Sequence, residues 1–283
     1  MLKTAYISRG LGDSLNARDF LIAYCKQKKI NQKEINVYTI HKEIFEDTDF
    51  TIKNADECNL EKLVCYANFG HFNLQKKYYS LKLDKCISIN AGINYCFDDI
   101  VKLNWSADIS NINLPKKFVT VNYGCDKNSS PELICKKLWL MDYWEKLVKN
   151  IGVDTVQIGA GQNTKNINGV SLNLVNKLSL KQSAEVMKKA LFHIDIEGGL
   201  VILGQHIGVK SVVLFTATNL KQFARKGNLN IRNTNCYACC GSLNTQEQKN
   251  MSLYVKKLNC DLKCVKDLTP EYVLHEIKYN GWL

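Results

Sequence analysis

The stretch HIDIEGGLVILGQHIGVKSVVLF, residues 193–215, constrains the fold more than any other part of the chain. A short β-rich run meets two glycines, an apolar series ends at Gly208, and a β-branched run follows. In order, that reads as strand, glycine turn, helix and strand. Two strands joined through a helix lie parallel, and a parallel sheet is covered on both faces.

The same alternation recurs at both ends of the chain. Lys3–Ser8 reads as a strand, Asn16–Gln27 as a helix with Phe20, Leu21 and Tyr24 on one face, and Ile35–Ile40 as a strand. Leu63–Tyr66 and Cys86–Ile93 are apolar stretches with strand character. A second series starts at Lys117: strand at Phe118–Tyr123, helix at Met141–Lys149, strand at Thr155–Ile158 ending in Gly159, Ala160 and Gly161, then a helix capped by Ser179. At 283 residues the chain suits two domains. The pattern divides them near Pro115–Lys117, into residues 1–117 and 118–283. The expected class is α/β, two Rossmann-like domains facing across a cleft, with the ligand outside the carboxyl ends of the strands.

The formal net charge of +11 is spread along the chain. It suits an anionic ligand, a membrane surface or a solvated lysine-rich exterior, and leaves room for an oligomer. The opening residues enter a strand pattern directly, without the series of a signal peptide, and no apolar run is long enough to cross a bilayer, so the cytoplasm is the expected compartment. Of the twelve cysteines, seven are scattered between Cys25 and Cys135 and read as small core residues.

Three short motifs carry candidate chemistry. In SRGLGDSL, Gly10 and Gly12 form a turn of phosphate-binding type, yet Leu15 stands where a dinucleotide fingerprint needs its third glycine and no Gly-Lys-Ser/Thr closes the loop. Asp13 in that turn fits a helix cap and equally a general base at the mouth of a cleft. Lys137, two residues before Trp139, offers three rotatable donors to a diphosphate. Glu197, Gly198 and Gly199 put exposed backbone N–H groups beside a carboxylate that can accept from sugar hydroxyls.

Together, Asp13 in GLGD, Lys137-x-Trp139, TVQIGAG, the block from Leu178 to Phe215 and the cysteine-rich tail resemble glycosyltransferase family 9, the ADP-heptose-dependent heptosyltransferases and their relatives. The resemblance implies a GT-B fold and an inverting transfer of a sugar, heptose favoured, from a nucleotide-diphosphate sugar such as ADP-heptose to a hydroxyl of a glycan or protein acceptor. Asp13 would match the catalytic base, Lys137 the lysine that holds the donor phosphates, and Glu197, Gly198 and Gly199 the acid-and-glycine motif of the donor pocket. In two places the chain departs from the family: Glu197 replaces an aspartate, and Ile202 takes a histidine position.

The remaining five cysteines gather in the tail. Cys236-x-x-Cys239 precedes Cys260-x-x-x-Cys264, two knuckles able to close a tetrahedral S4 site within residues 232–266, with Cys240 a spare sulfur or an alternative to Cys239. Zinc and iron both suit four thiolates and a structural role; the resemblance leans to iron, through the autotransporter heptosyltransferases of this superfamily. Nearby cations, among them Arg225, Arg232, Lys256 and Lys263, offset the negative charge of such a centre. They also keep open a rival reading, a nucleic-acid-binding metal finger on a Rossmann scaffold, against which stands the lack of interleaved aromatic residues. A third reading is a degenerate relative that binds sugar nucleotide without turnover, suggested by Ile202.

Overall fold

The computed structural model describes residues 2–7, 10–58, 66–68, 91–124, 137–161, 163–232 and 262–283. It divides into two compact units, Met1–Leu103 and Asn104–Leu283.

In the first unit, four described strands form a parallel sheet: β1 (Thr4–Ile7), β2 (Asn36–Thr39), β3 (Thr51–Asn54) and β4 (Tyr66–Asn68), in the order β3-β2-β1-β4. Alternate residues of β1 and β2 (Ala5, Ile7, Val37 and Thr39) are buried, the period of a strand with one face in the core. Helix α1 (Leu11–Lys28) connects β1 to β2 and buries Leu15, Phe20 and Leu21. Residues 91–103 are tied along α1. Gln27 exchanges hydrogen bonds with the backbone of Asn94, the Tyr95 hydroxyl donates to Asn16 O, and buried Arg18 donates to Val101 O while also pairing with Asp47.

The second unit holds six described parallel strands: β5 (Phe118–Val121), β6 (Asp154–Gln157), β7 (Leu172–Asn173), β8 (His193–Ile196), β9 (Ser211–Phe215) and β10 (Leu229–Arg232). Their order is β10-β9-β8-β5-β6-β7. From β5 the chain steps outward to β6 and β7; from β8 it steps outward in the opposite direction to β9 and β10. The order therefore reverses between β5 and β8, the place where open α/β sheets leave a crevice above their carboxyl ends. The helices among the described residues are α2 (Met141–Asn150), α3 (Leu180–Lys189), α4 (Gly199–Ile207), α5 (Leu220–Phe223), α6 (Lys263–Lys266) and α7 (Pro270–Tyr279). β5, β8 and β9 are buried along their whole lengths, as strands covered on both faces must be. Ser179 caps α3 in a reciprocal box with Gln182, and α4 stops at Gly208, whose φ of 81° suits a residue without a Cβ.

Two expectations are corrected. α1 begins at Leu11, five residues before the expected start, so Gly12 lies inside the helix and only Gly10 precedes it. Gly10 supplies no side-chain cap, which leaves the sequence without a start signal there. The units part at Leu103/Asn104 rather than at 117/118, because the intervening segment is fastened to α3 of the second unit. Lys188 donates to Trp105 O, Gln182 to Asp108 O, and Lys181 lies over the Trp105 ring. Of the stretch Cys86–Ile93, residues 91–93 belong to no strand and the rest lie outside the described residues. No helix among the described residues is long and apolar enough to cross a membrane.

Candidate functional site

Lys137 and Glu197, expected to act at the donor site, do meet. β8 ends at Ile196, Glu197 and Gly198 follow, and α4 starts at Gly199. Lys137 Nζ lies 3.0 Å from Glu197 Oε2, both side chains largely but not wholly buried. The backbone beneath this pair is fixed: Thr216, buried just past β9, donates its hydroxyl to Lys137 O at 2.7 Å, and Glu197 N donates to Leu214 O. Gly198 brings no capping side chain to α4, so its N-cap residue satisfies none of the amides of the first turn through a side chain. A helix N-terminus with an ammonium and a carboxylate beside it can bind an anion and a hydroxyl-bearing group together.

Directly under this turn, a chain of buried polar side chains crosses from β5 to β8. Thr120 Oγ1 is 3.0 Å from His193 Nδ1. Asn122 Nδ2 donates to Asp195 Oδ2 at 3.0 Å, and Asp195 Oδ1 accepts from Ile196 N at 2.7 Å. His193 Nε2 is 3.5 Å from Asp195 Oδ2, an electrostatic contact too long for a hydrogen bond, and no other described residue satisfies that nitrogen. Burial pushes the Asp195 carboxyl up from its ordinary pKa; His193, Asn122 and the Ile196 N–H act in the opposite direction without cancelling it.

Asn122 also reaches the loop after β6. A Cβ at Gly159 would sit 2.3 Å from Asn122 Oδ1, and Gly159 has φ of 124°, so the position excludes a side chain on both counts. The same two loops interlock again where a Cβ at Gly124 would meet Thr164 Oγ1 at 2.7 Å. Asn176 accepts from Gly161 N and holds the glycine loop from its other end.

These polar residues escaped the sequence reading, although a signal was present. Thr120 and Asn122, and again His193 and Asp195, stand two apart in or beside otherwise apolar strands, so each pair projects to one face. Asp13 occupies the first turn of α1 in the first unit and is half-buried. Cys236, Cys239 and Cys260 lie outside the described residues; Cys264, in α6, is buried in the core of the second unit. Ile202 is buried in α4, and His206 is turned inward with Nδ1 2.8 Å from Ile202 O. A surface hollow of about 580 Å³ between α2 and α7 involves none of the candidate residues.

No protein-family model matches the sequence, and no curated protein matches it. Solved structures do resemble it in three dimensions. The iron-containing dodecameric heptosyltransferase TibC of enterotoxigenic E. coli, solved in complex with ADP-D-β-D-heptose, superposes with a TM-score of 0.70 at 15% identity, over 99% of this chain and 76% of that one. A glycosyltransferase of family 9 from Veillonella parvula gives 0.64 at 12% identity, over 98% and 96% of the two chains. The E. coli ADP-heptose lipopolysaccharide heptosyltransferase II gives 0.53 at 11% identity, with 98% of each chain covered. The expected α/β class is thus borne out, and the chain has the heptosyltransferase-like GT-B fold.

Proposed function

We propose that the protein is an inverting glycosyltransferase whose donor is a nucleotide-diphosphate sugar, with ADP-heptose the leading candidate and a hydroxyl of a glycan or protein as acceptor. The observation that carries this reading is the Lys137–Glu197 pair at the amino end of α4, above the reversal in strand order. TibC, similar in fold, was solved with ADP-D-β-D-heptose. Lys137 and the first amides of α4 would grip the diphosphate, while Glu197 accepts from hydroxyls of the donor.

Asp13 would take the proton from the acceptor hydroxyl as its oxygen attacks the anomeric carbon. The bond from that carbon to the diphosphate oxygen breaks, and its electron pair leaves with the nucleoside diphosphate, whose charge Lys137 offsets. The products are the glycoside with inverted configuration and ADP, the proton remaining on Asp13.

Cys236, Cys239, Cys260 and Cys264 are proposed to hold one iron or zinc ion. Four thiolates fit a soft ion in tetrahedral coordination, and such a shell supplies structural support rather than an open position. TibC, described as iron-containing, supports the iron alternative.

ADP-heptose should raise the melting temperature of the wild type and be consumed when acceptor is present. Asp13→Ala should keep ADP binding and lose transfer. Near-normal transfer by that variant with its fold intact would remove Asp13 from the chemistry. Ile202 is buried and apolar where the resembled family has a histidine, so one assay separates the enzyme from a binder without turnover. Donor binding without transfer or hydrolysis by the wild type would select it.

A further inference from the structure

The three loops at the carboxyl ends of β5, β6 and β8 are joined through one side chain, that of Asn122. Its amide nitrogen donates to Asp195, whose other oxygen accepts from Ile196 N immediately before Glu197. Its amide oxygen fills the space against Gly159 that any larger residue would need. Its own backbone N donates to Ile194 O across the β5/β8 junction. Asn122 and Asp195 are both buried, so these bonds are made away from solvent.

We infer that Asn122 and Asp195 are positioning residues: they set the height of the Glu197–Gly199 turn relative to the loops after β5 and β6, and thereby the place where the diphosphate is received. The inference rests on the donor reading above. The paired ladder between β5 and β8 is short, its register comprising Thr120↔His193 and Val121↔Ile194. Above it, Asn122 N and the side-chain link continue the junction up to the crevice. A ligand gripped by groups from both sides of a reversal in strand order depends on how those two sides are held together, and here a buried amide-carboxyl bond holds them.

The test compares two single changes in the same polar chain. Asn122→Ala removes the link at the loops; Thr120→Val, nearly isosteric, removes the contact to His193 one step lower in the sheet. The readouts are the Kd for ADP, by titration calorimetry on full-length protein, and the Tm. Positioning predicts that Asn122→Ala weakens ADP binding about tenfold while Thr120→Val lowers Tm with Kd unchanged. Asp195→Asn, close to wild type in shape, should move Kd in the same direction as Asn122→Ala and carries the test if the alanine variant does not fold. A purely structural network would lower Tm in every variant and leave Kd at the wild-type value in each. That result, or an equal loss of affinity in Asn122→Ala and Thr120→Val, overturns the inference while the donor reading stands. Failure of the wild type to bind ADP and ADP-heptose overturns the donor reading, and the inference with it.

Discussion

Lys137 and Glu197 neutralise each other at 3.0 Å, and on the proposed donor reading an incoming diphosphate would share or displace that bond. Lys137→Ala should therefore weaken ADP binding by roughly tenfold to a hundredfold, the usual worth of a charge-assisted hydrogen bond. The same variant should flatten the dependence of Kd on salt, and an unchanged salt slope would argue that the ammonium is not on the phosphates. Asp195 makes a prediction of opposite character. The unfolded chain sheds this proton near the ordinary value of 3.8, and the folded chain only at higher pH. Between those values the folded state holds the extra proton, so the stability Asp195 contributes is complete below the unfolded pKa and declines as pH rises through the folded one. The Tm of wild type should fall relative to that of Asp195→Asn as pH is raised from about 4 to about 7, and a difference independent of pH would contradict the assignment. Gly159→Ala joins a φ of 124° to a collision with Asn122, and should cost on the order of 1–3 kcal/mol in a denaturant titration.

Among the elements, α3 offers the plainest check. Ser179→Ala removes the hydroxyl that accepts from Gln182 N, leaves the reverse bond from the backbone N–H of residue 179 to the Gln182 side chain, and should cost about 1 kcal/mol. What could be read in advance followed burial and punctuation. β5, β8 and β9 are apolar runs with sharp ends, and α4 ends at a glycine, so their places were legible. β3 and β10 lie at sheet edges with much of their surface open, and β7 spans only Leu172–Asn173, so none has the pattern of a buried strand. α7 went unread despite Thr269 at its cap and Pro270 in its first turn. In the site, Lys137 and Glu197 were recognisable by residue type, but nothing in one dimension says that positions 60 apart touch, since only the order of strands brings them together. Asn122 was invisible for another reason: its role depends on Gly159 and Asp195, on two other strand ends.

For the molecule as a whole, the division at Leu103/Asn104 assigns the segment 104–117 to the second unit. A fragment of residues 104–283 should melt above one of residues 118–283, because only the former keeps Trp105 and Asp108 fastened to α3. Equal melting temperatures would return the boundary to residue 117. The core of this unit is also closed from far along the chain. The Trp139 indole donates to Leu268 O at 2.7 Å across 129 positions, and the Trp282 ring meets Phe192 edge to face at 5.3 Å between centroids. Translation delivers those partners late: at about 5–20 residues per second, Trp139 waits on the order of ten seconds for Leu268. Through that interval the nascent second unit keeps an apolar surface uncovered while the first is already made, so a ribosome-bound chain halted before residue 268 should bind a holdase chaperone that a chain released at full length does not.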